Sequence, residues 1–267
     1  MHHFGSEVRH ARIKAGMTQT ELGKLTGYDG SEVSRFEAGL REPDARFAEG
    51  CDRAFLFMNG WFTRFIMDSH SWDGPYKPWF RPWVNTERKA LAIRWWEPML
   101  VPGLIQTEAY MRSVLGWGPD NGNDIESDVT ARLERQRIFE RDTPPETWFL
   151  LSDSVLGYCA GSPTVMREQM LHLVAMAQRP RVTIQVVPRE AGAHGGQSGA
   201  FAVATMESDT VGVAYLETGV QGMTVREPEL VSRAASMFDH LRAEAYPRSK
   251  TLEIFRQEGE KWEQQIV

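Results

Sequence analysis

The run TQTELGKLTGYDGSEVSRFEAG, residues 18–39, concentrates hydrogen-bonding side chains in its second half: Ser31, Glu32, Ser34 and Arg35. At helical spacing these two hydroxyls, a carboxylate and a guanidinium share a face, while Val33 and Phe36 point the other way into a core. That face is free for recognition of a polar partner. A second, sparser set lies far downstream. The loop 192–199 holds His194 among four glycines, and Glu217 closes the strand-like run VAYLE. With Arg94 or Arg137 they could form a site for an anionic ligand or a nucleotide. The glycine-rich run lacks the lysine and the strand–turn–helix setting of a phosphate loop. No metal-ligand or nucleophile-triad spacing accompanies it, so no catalytic residue, metal or cofactor is expected.

The elements that must position the first set are written locally. Thr18 with Glu21, and Asp29 with Glu32, are capping-box pairs that mark two helix starts. Gly27 sits between them, where a sharp helix-to-helix turn needs a residue without a Cβ. Leu22, Leu25, Val33 and Phe36 are the expected contacts across the crossing, with Gly23 allowing close approach. Upstream, Val8, Ala11, Arg12, Ile13 and Ala15 read as an amphipathic first helix ended by Gly16. Downstream, Pro43 opens a helix containing Phe47, Cys51, Ala54 and Phe55. A bundle of about five helices over residues 4–66 is the expectation.

The string RHARIKAGMTQTELGKLTGYDGSEVSRFEAGLREPD resembles the Xre/lambda-repressor type of helix-turn-helix. Turn glycine, capping residues and the closing Glu-x-Gly all fall in register. The resemblance implies that double-stranded DNA is the partner. It places Gln19 against a phosphate or base edge and Ser31, Glu32 and Arg35 in the major groove, with Ser34 making backbone or water contacts. Arg35 would bond a guanine edge bidentately and Glu32 would accept from cytosine. Gly30 stands where the family often has a polar base reader. Glu32 equally reads as a capping residue, and Arg12 with Glu37 as the family's internal ion pair between first and third helices. Lys14, Lys24 and Arg41 read as surface charges or phosphate contacts, Arg41 being the best phosphate candidate.

Residues 68–82, DSHSWDGPYKPWFRP, form an aromatic and proline-rich junction. Its prolines forbid a continuous helix, and Trp72, Tyr76, Trp79 and Phe80 are too apolar for a free linker. Beyond it, residues 85–97 read as a helix ended by Pro98, residues 125–141 as another, and ETWFLLSD as a strand. A long helix from Pro163 follows, with Met166, Met170 and Leu173 inward. RVTIQVVP, AFAVATME, TVGVAYLET and GMTV read as strands, and two helices close the chain. Arg132, Arg135 and Arg137 with Glu134 read as helix-surface pairs, and Gln106 as a cap. The fold expected is therefore multidomain: an all-α helix-turn-helix bundle over 1–67, then an α+β domain with a mostly antiparallel sheet over 83–267.

WWEPMLVPGLIQTEAY, RLERQRIF, REQMLHLVAMAQRPRVTIQVVP, GAHGGQSGAF and YLE resemble, in order, the actinobacterial domain of unknown function 5753 that follows an Xre-type helix-turn-helix. This resemblance implies a transcriptional regulator whose second domain binds an effector or a small partner protein encoded nearby; a homodimer is expected because one helix-turn-helix domain buries little DNA surface. The alternatives are an antitoxin-like partner-binding protein, or a nucleotide-dependent transferase with Glu217 as the strand-borne glutamate of an ADP-ribosyl-transferring enzyme.

Bulk properties agree with two globular domains. With 42% hydrophobic and 25% charged residues over 267, neither a disordered chain nor a fibrous repeat is indicated. Net charge is −6, yet residues 1–67 are neutral and the rest carries the whole excess, so the first domain is the less acidic. Glu7, Arg9, Arg12 and Lys14 interrupt any secretory signal, and no apolar run is long enough to span a bilayer. A cytoplasmic location without membrane contact is expected. Cys51 and Cys159 lack metal spacing, and no disulfide between them is expected.

Overall fold

In a computed structural model of the protein the described residues are 2–70, 76–77, 79–117, 124–207, 209–219 and 221–266. The chain folds as two compact units, Met1–Gly74 and Pro75–Val267.

The first unit holds α1 (His2–Lys14), α2 (Gln19–Thr26), α3 (Gly30–Glu37), α4 (Ala45–Ala54), a 3-10 turn at Leu56–Met58 and α5 (Trp61–His70). Both capping boxes form: the Thr18 hydroxyl accepts from the Glu21 N–H, and Asp29 accepts from the Glu32 N–H. Gly27 ends α2 at φ 82°, in the left-handed region. Asp44, not Pro43, caps α4, and its carboxylate also accepts from the Tyr28 hydroxyl at 2.6 Å. The core is aromatic, with Phe36 stacked on Phe47 at 4.1 Å and Phe4 edge-on to Phe62 at 5.4 Å. Leu25 and Ile13 were expected inside, but are 51% and 60% exposed. Short helices offer a narrow buried stripe, and Leu22, Val33, Val8 and Ala11 fill it.

Among its described residues the second unit has one six-stranded sheet, in order β3-β2-β1-β4-β5-β6. The strands are β1 (Ala92–Glu97), β2 (Glu146–Ser152), β3 (Val182–Val187), β4 (Phe201–Met206), β5 (Asp209–Glu217) and β6 (Gly222–Val225). The sheet is mixed. β1, β2 and β3 pair in parallel, whereas β4 runs antiparallel to β1 and continues as an antiparallel meander through β5 and β6. Parallel neighbours need long crossovers, supplied by α7 (Glu108–Leu115) and α8 (Ile125–Gln136), then by α9 (Ser154–Gly157) and α10 (Pro163–Met176).

Two helices follow the meander, α11 (Pro228–Glu244) and α12 (Arg248–Glu263). α11 covers one face of the sheet through Val231, Phe238 and Leu241, packed with Trp96 and Leu150. The other face is covered by α10, α12 and α6 (Arg81–Glu87), with Met170, Leu173, Phe255 and Trp83 around Trp95 and Tyr215.

The helix expected over residues 85–97 is not formed. α6 ends at Glu87, and β1 begins at Ala92 between β2 and β4. Ile93, Trp95 and Trp96 are strand formers, and a central strand buried on both faces loses the polar alternation that would reveal it. Tyr76, Trp79 and Phe80 of the junction belong to the second unit, where the Phe80 ring meets Tyr215 at 5.2 Å. Trp72 lies outside the described residues. Both cysteines are free, and among the described residues no helix is long and apolar enough to cross a membrane.

Candidate nucleic-acid interface and candidate ligand cavity

α3 is set against α2 by contacts that only small residues allow. A Cβ on Gly23 would come within 2.5 Å of the Tyr28 carbonyl oxygen, and one on Gly30 within 2.9 Å of the Thr20 hydroxyl. Gly30 is thus used to close the crossing. Arg12 grips Glu37 with two hydrogen bonds, of 2.5 and 3.0 Å, and ties α1 to the end of α3. Gln19 joins this pair, donating from its amide nitrogen to Glu37 Oε2 at 2.9 Å. Its amide oxygen is the group left for an outside partner.

The residues assigned to the outer face of α3 divide by their bonding. Glu32 accepts from the Asp29 N–H at 3.1 Å and also takes a hydrogen bond from Arg41. Arg41 in turn lies over the Phe36 ring at 4.9 Å and near Tyr28 at 5.6 Å. For either to reach DNA, this internal set must first come apart. Ser31 donates to Asp29 at 2.7 Å. Ser34 and Arg35 are exposed, and among the described residues Arg35 makes no ion pair. Its five N–H donors are therefore available in the fork that matches a purine edge.

In the second unit the sequence-read trio separates. Side chains alternate along β1, so Trp95 and Glu97 face α6 and α8, while Arg94 shares the α11 face with Trp96, beside Trp148 and Val203. His194 packs its ring 5.5 Å from Trp96 on that same side. Glu217, in phase with Tyr215, points to the other face. The sheet stands between them. Arg137 is exposed and pairs with Glu134 at 2.9 Å. His194, Glu217 and Arg94 or Arg137 accordingly do not form one site.

Glu217 instead lines a cavity of about 260 Å³ over the ends of β1 and β5. Ala202, the β4 residue paired with both Trp95 and Tyr215, lets those two rings meet across it at 6.2 Å, and they form one side of the cavity. The walls include Trp79, Phe80, Trp95, Tyr215, Glu97 and Arg132. Glu97 is buried and accepts from the Trp95 indole N–H at 3.2 Å. Burial, then the neighbouring Glu217 charge, holds its carboxyl well above the ordinary carboxylate range. Burial also raises Glu217, against the opposing pull of Arg132 and Arg135. Arg132 donates to Gln106 Oε1 at 2.9 Å, and burial lowers its pKa to about 10, which leaves it charged. The Tyr215 hydroxyl is buried without a hydrogen-bond partner among the described residues.

The wall that carries Arg132 is fixed by a buried pair. Arg135 donates to Glu87 at 2.9 and 2.8 Å, and the Trp83 indole N–H reaches the same carboxylate at 3.2 Å. The Arg135 guanidinium also stacks over Phe80 at 4.6 Å. Arg132 and Arg135 are thus inside, not on the helix surface. Gln106 is not a cap: Thr107 caps α7, and Gln106 bonds the Val101 carbonyl.

A helix-turn-helix domain model matches residues 3–58. A second model, described as domain of unknown function (DUF5753), matches residues 80–257, more than half of the chain. The protein belongs to the DUF5753 family. No curated protein and no solved structure matches it. The helix-turn-helix match spans α1 to the 3-10 turn, and the DUF5753 match runs from Phe80 into α12, so the whole cavity wall from Phe80 onward lies within the family domain.

Glu97, Arg132, Tyr215 and the Glu87–Arg135 pair were not legible as a group in the sequence. Glu97 sat in a segment that reads as a helix, and Tyr215 in an ordinary strand pattern. One signal was present: Asp128, Arg132 and Arg135 recur at helical spacing on the side of α8 that also buries Val129 and Ala131.

Proposed function

We propose that the protein is a sequence-specific DNA-binding transcriptional regulator of the Xre/lambda-repressor type, with α3 entering the major groove and the second unit binding an effector. The observation that carries this reading is the helix-turn-helix match over a bundle whose α3 keeps Arg35 exposed and unpaired among the described residues. Arg35 and Ser34 are the proposed base readers. Ser31 and the Gln19 amide oxygen supply supporting contacts, and Glu32 and Arg41 hold the motif's shape. One such domain buries little DNA surface, so useful affinity calls for a homodimer on a pseudo-palindrome with half-sites about one helical turn, ~34 Å, apart.

For the second unit, a small effector is favoured over a partner protein or a transferase activity. The cavity supports a small molecule, and the separation of Glu217 from His194 and Arg94 by the sheet removes the grouping on which a nucleotide-transfer site was drawn. The test is fluorescence anisotropy on DNA from the protein's own promoter region against random DNA of equal length. Arg35→Ala should erase the preference for the promoter fragment while leaving the weak, salt-sensitive binding to random DNA. Equal loss on both fragments would overturn the assignment of α3 as the reading helix.

A further inference from the structure

The second unit's cavity combines features whose chemistry defines an occupant. Glu97 and Glu217 both face it, and neither makes an ion pair among the described residues. The cations at its wall are Arg132, already bonded to Gln106, Arg135, neutralised by Glu87, and Lys77 at the exposed edge. Asp128 adds a further carboxylate. In the empty cavity Glu97 holds its proton, and Glu217 and Asp128 balance Arg132 and Lys77; an entering cation can draw the Glu97 proton off and then meets three carboxylates against two cations, an excess that an entering anion cannot use.

The rest of the wall is aromatic. Tyr76, Trp79, Phe80 and Trp95 present rings that favour a flat apolar body and, at their faces, a cation. Tyr215 forms part of the wall, 0% exposed, with its hydroxyl buried behind the cavity surface and without a partner among the described residues. Gly222 keeps that ring in place: a Cβ there would stand 2.2 Å from the phenol oxygen. The volume of about 260 Å³ is just under the ~300 Å³ lower end of small-molecule sites, which sets the ligand's size at a single aromatic group with a short arm.

We infer that this cavity binds a small aromatic amine, its ammonium held between Glu97 and Glu217 and its ring against Trp79, Phe80 and Trp95. The inference rests on the effector-binding reading of the second unit and is independent of DNA recognition by the first. The raised carboxyls of Glu97 and Glu217 agree with it, since a cation between them restores the ionised form that burial disfavours.

The experiment titrates the full chain by calorimetry with benzylamine, phenethylamine and tryptamine, and with indole-3-acetate as the acid counterpart. At least one amine should bind tenfold or more tightly than the acid. Glu217→Gln should weaken that amine at least tenfold, with circular dichroism unchanged. No binding of any of the three amines, acid binding as tight as the amine's, or full affinity in a folded Glu217→Gln variant would overturn the assignment. Should a variant fail to fold, the amine-to-acid comparison on the native protein decides alone. Promoter binding, measured on the same preparation without amine, reports on the regulator reading separately, so either reading can fail without the other.

Discussion

Replacing Arg135 by Met removes one half of a buried, bidentate ion pair whose side chains are 5% and 2% exposed. Glu87, 1% exposed, would be left with the Trp83 indole N–H as its remaining hydrogen-bond donor among the described residues. Breaking such a pair typically costs ~3–5 kcal/mol, because the abandoned charge keeps its desolvation penalty and loses its partner. For a unit of this size each kcal/mol lowers Tm by about 2–4 °C, so Arg135→Met should lose about 6–20 °C. Trp83, Trp95 and Trp96 are all buried in the second unit, so tryptophan fluorescence during urea or thermal unfolding reports on it directly. The double variant Glu87→Gln with Arg135→Met removes both charges and should recover most of the loss. A single-variant loss below about 1 kcal/mol, or no recovery in the double variant, would refute the claim that the paired charge is what holds α8 against α6.

Three further outcomes are expected. Glu97→Gln should gain stability over the native protein as pH rises from 4 to 8. A carboxyl held above its ordinary value keeps its proton in the folded state after the unfolded chain has lost it, so native stability falls with rising pH, and a pH-independent difference measured by urea midpoints would contradict this. Gly27→Ala should destabilise the first unit by about 1–2 kcal/mol, because an L side chain is strained at φ 82°, and Gly27→Asn should cost less; equal stability of all three proteins in thermal melts would count against the left-handed cap. Glu32→Ala removes a capping box and the Arg41 pair. It should cost about 1 kcal/mol and weaken specific and random DNA alike, whereas loss confined to the specific site would mean that Glu32 reads bases after all.

The first unit was largely legible because its information is local. Two capping boxes, a turn glycine and a heptad-scale apolar stripe lie within one short window, and each acts on neighbours a few residues away. What the window did not reveal is how α3's polar groups are spent. Glu32 and Arg41 are separated by nine residues, and the Arg12–Glu37–Gln19 set spans three helices, so their pairing depends on how those helices cross. Arg35 is set apart from them only once those partners are in place.

In the second unit, the sequence by itself determined the domain type, the strands from β2 to β6 and the covering helices α10, α11 and α12, though not α6, since amphipathic periodicity and turn residues are encoded along the chain. Only the tertiary structure decided β1, because a strand buried on both faces carries no alternation, and only it decided which side of the sheet each charged residue faces. Period-2 parity sends Arg94 one way and Glu97 the other, and pairing through β4 then brings Glu97 and Glu217 from distant segments to one side of the sheet. A site assembled from two strands held apart by a third, and a helix, exists in space and has no linear signature.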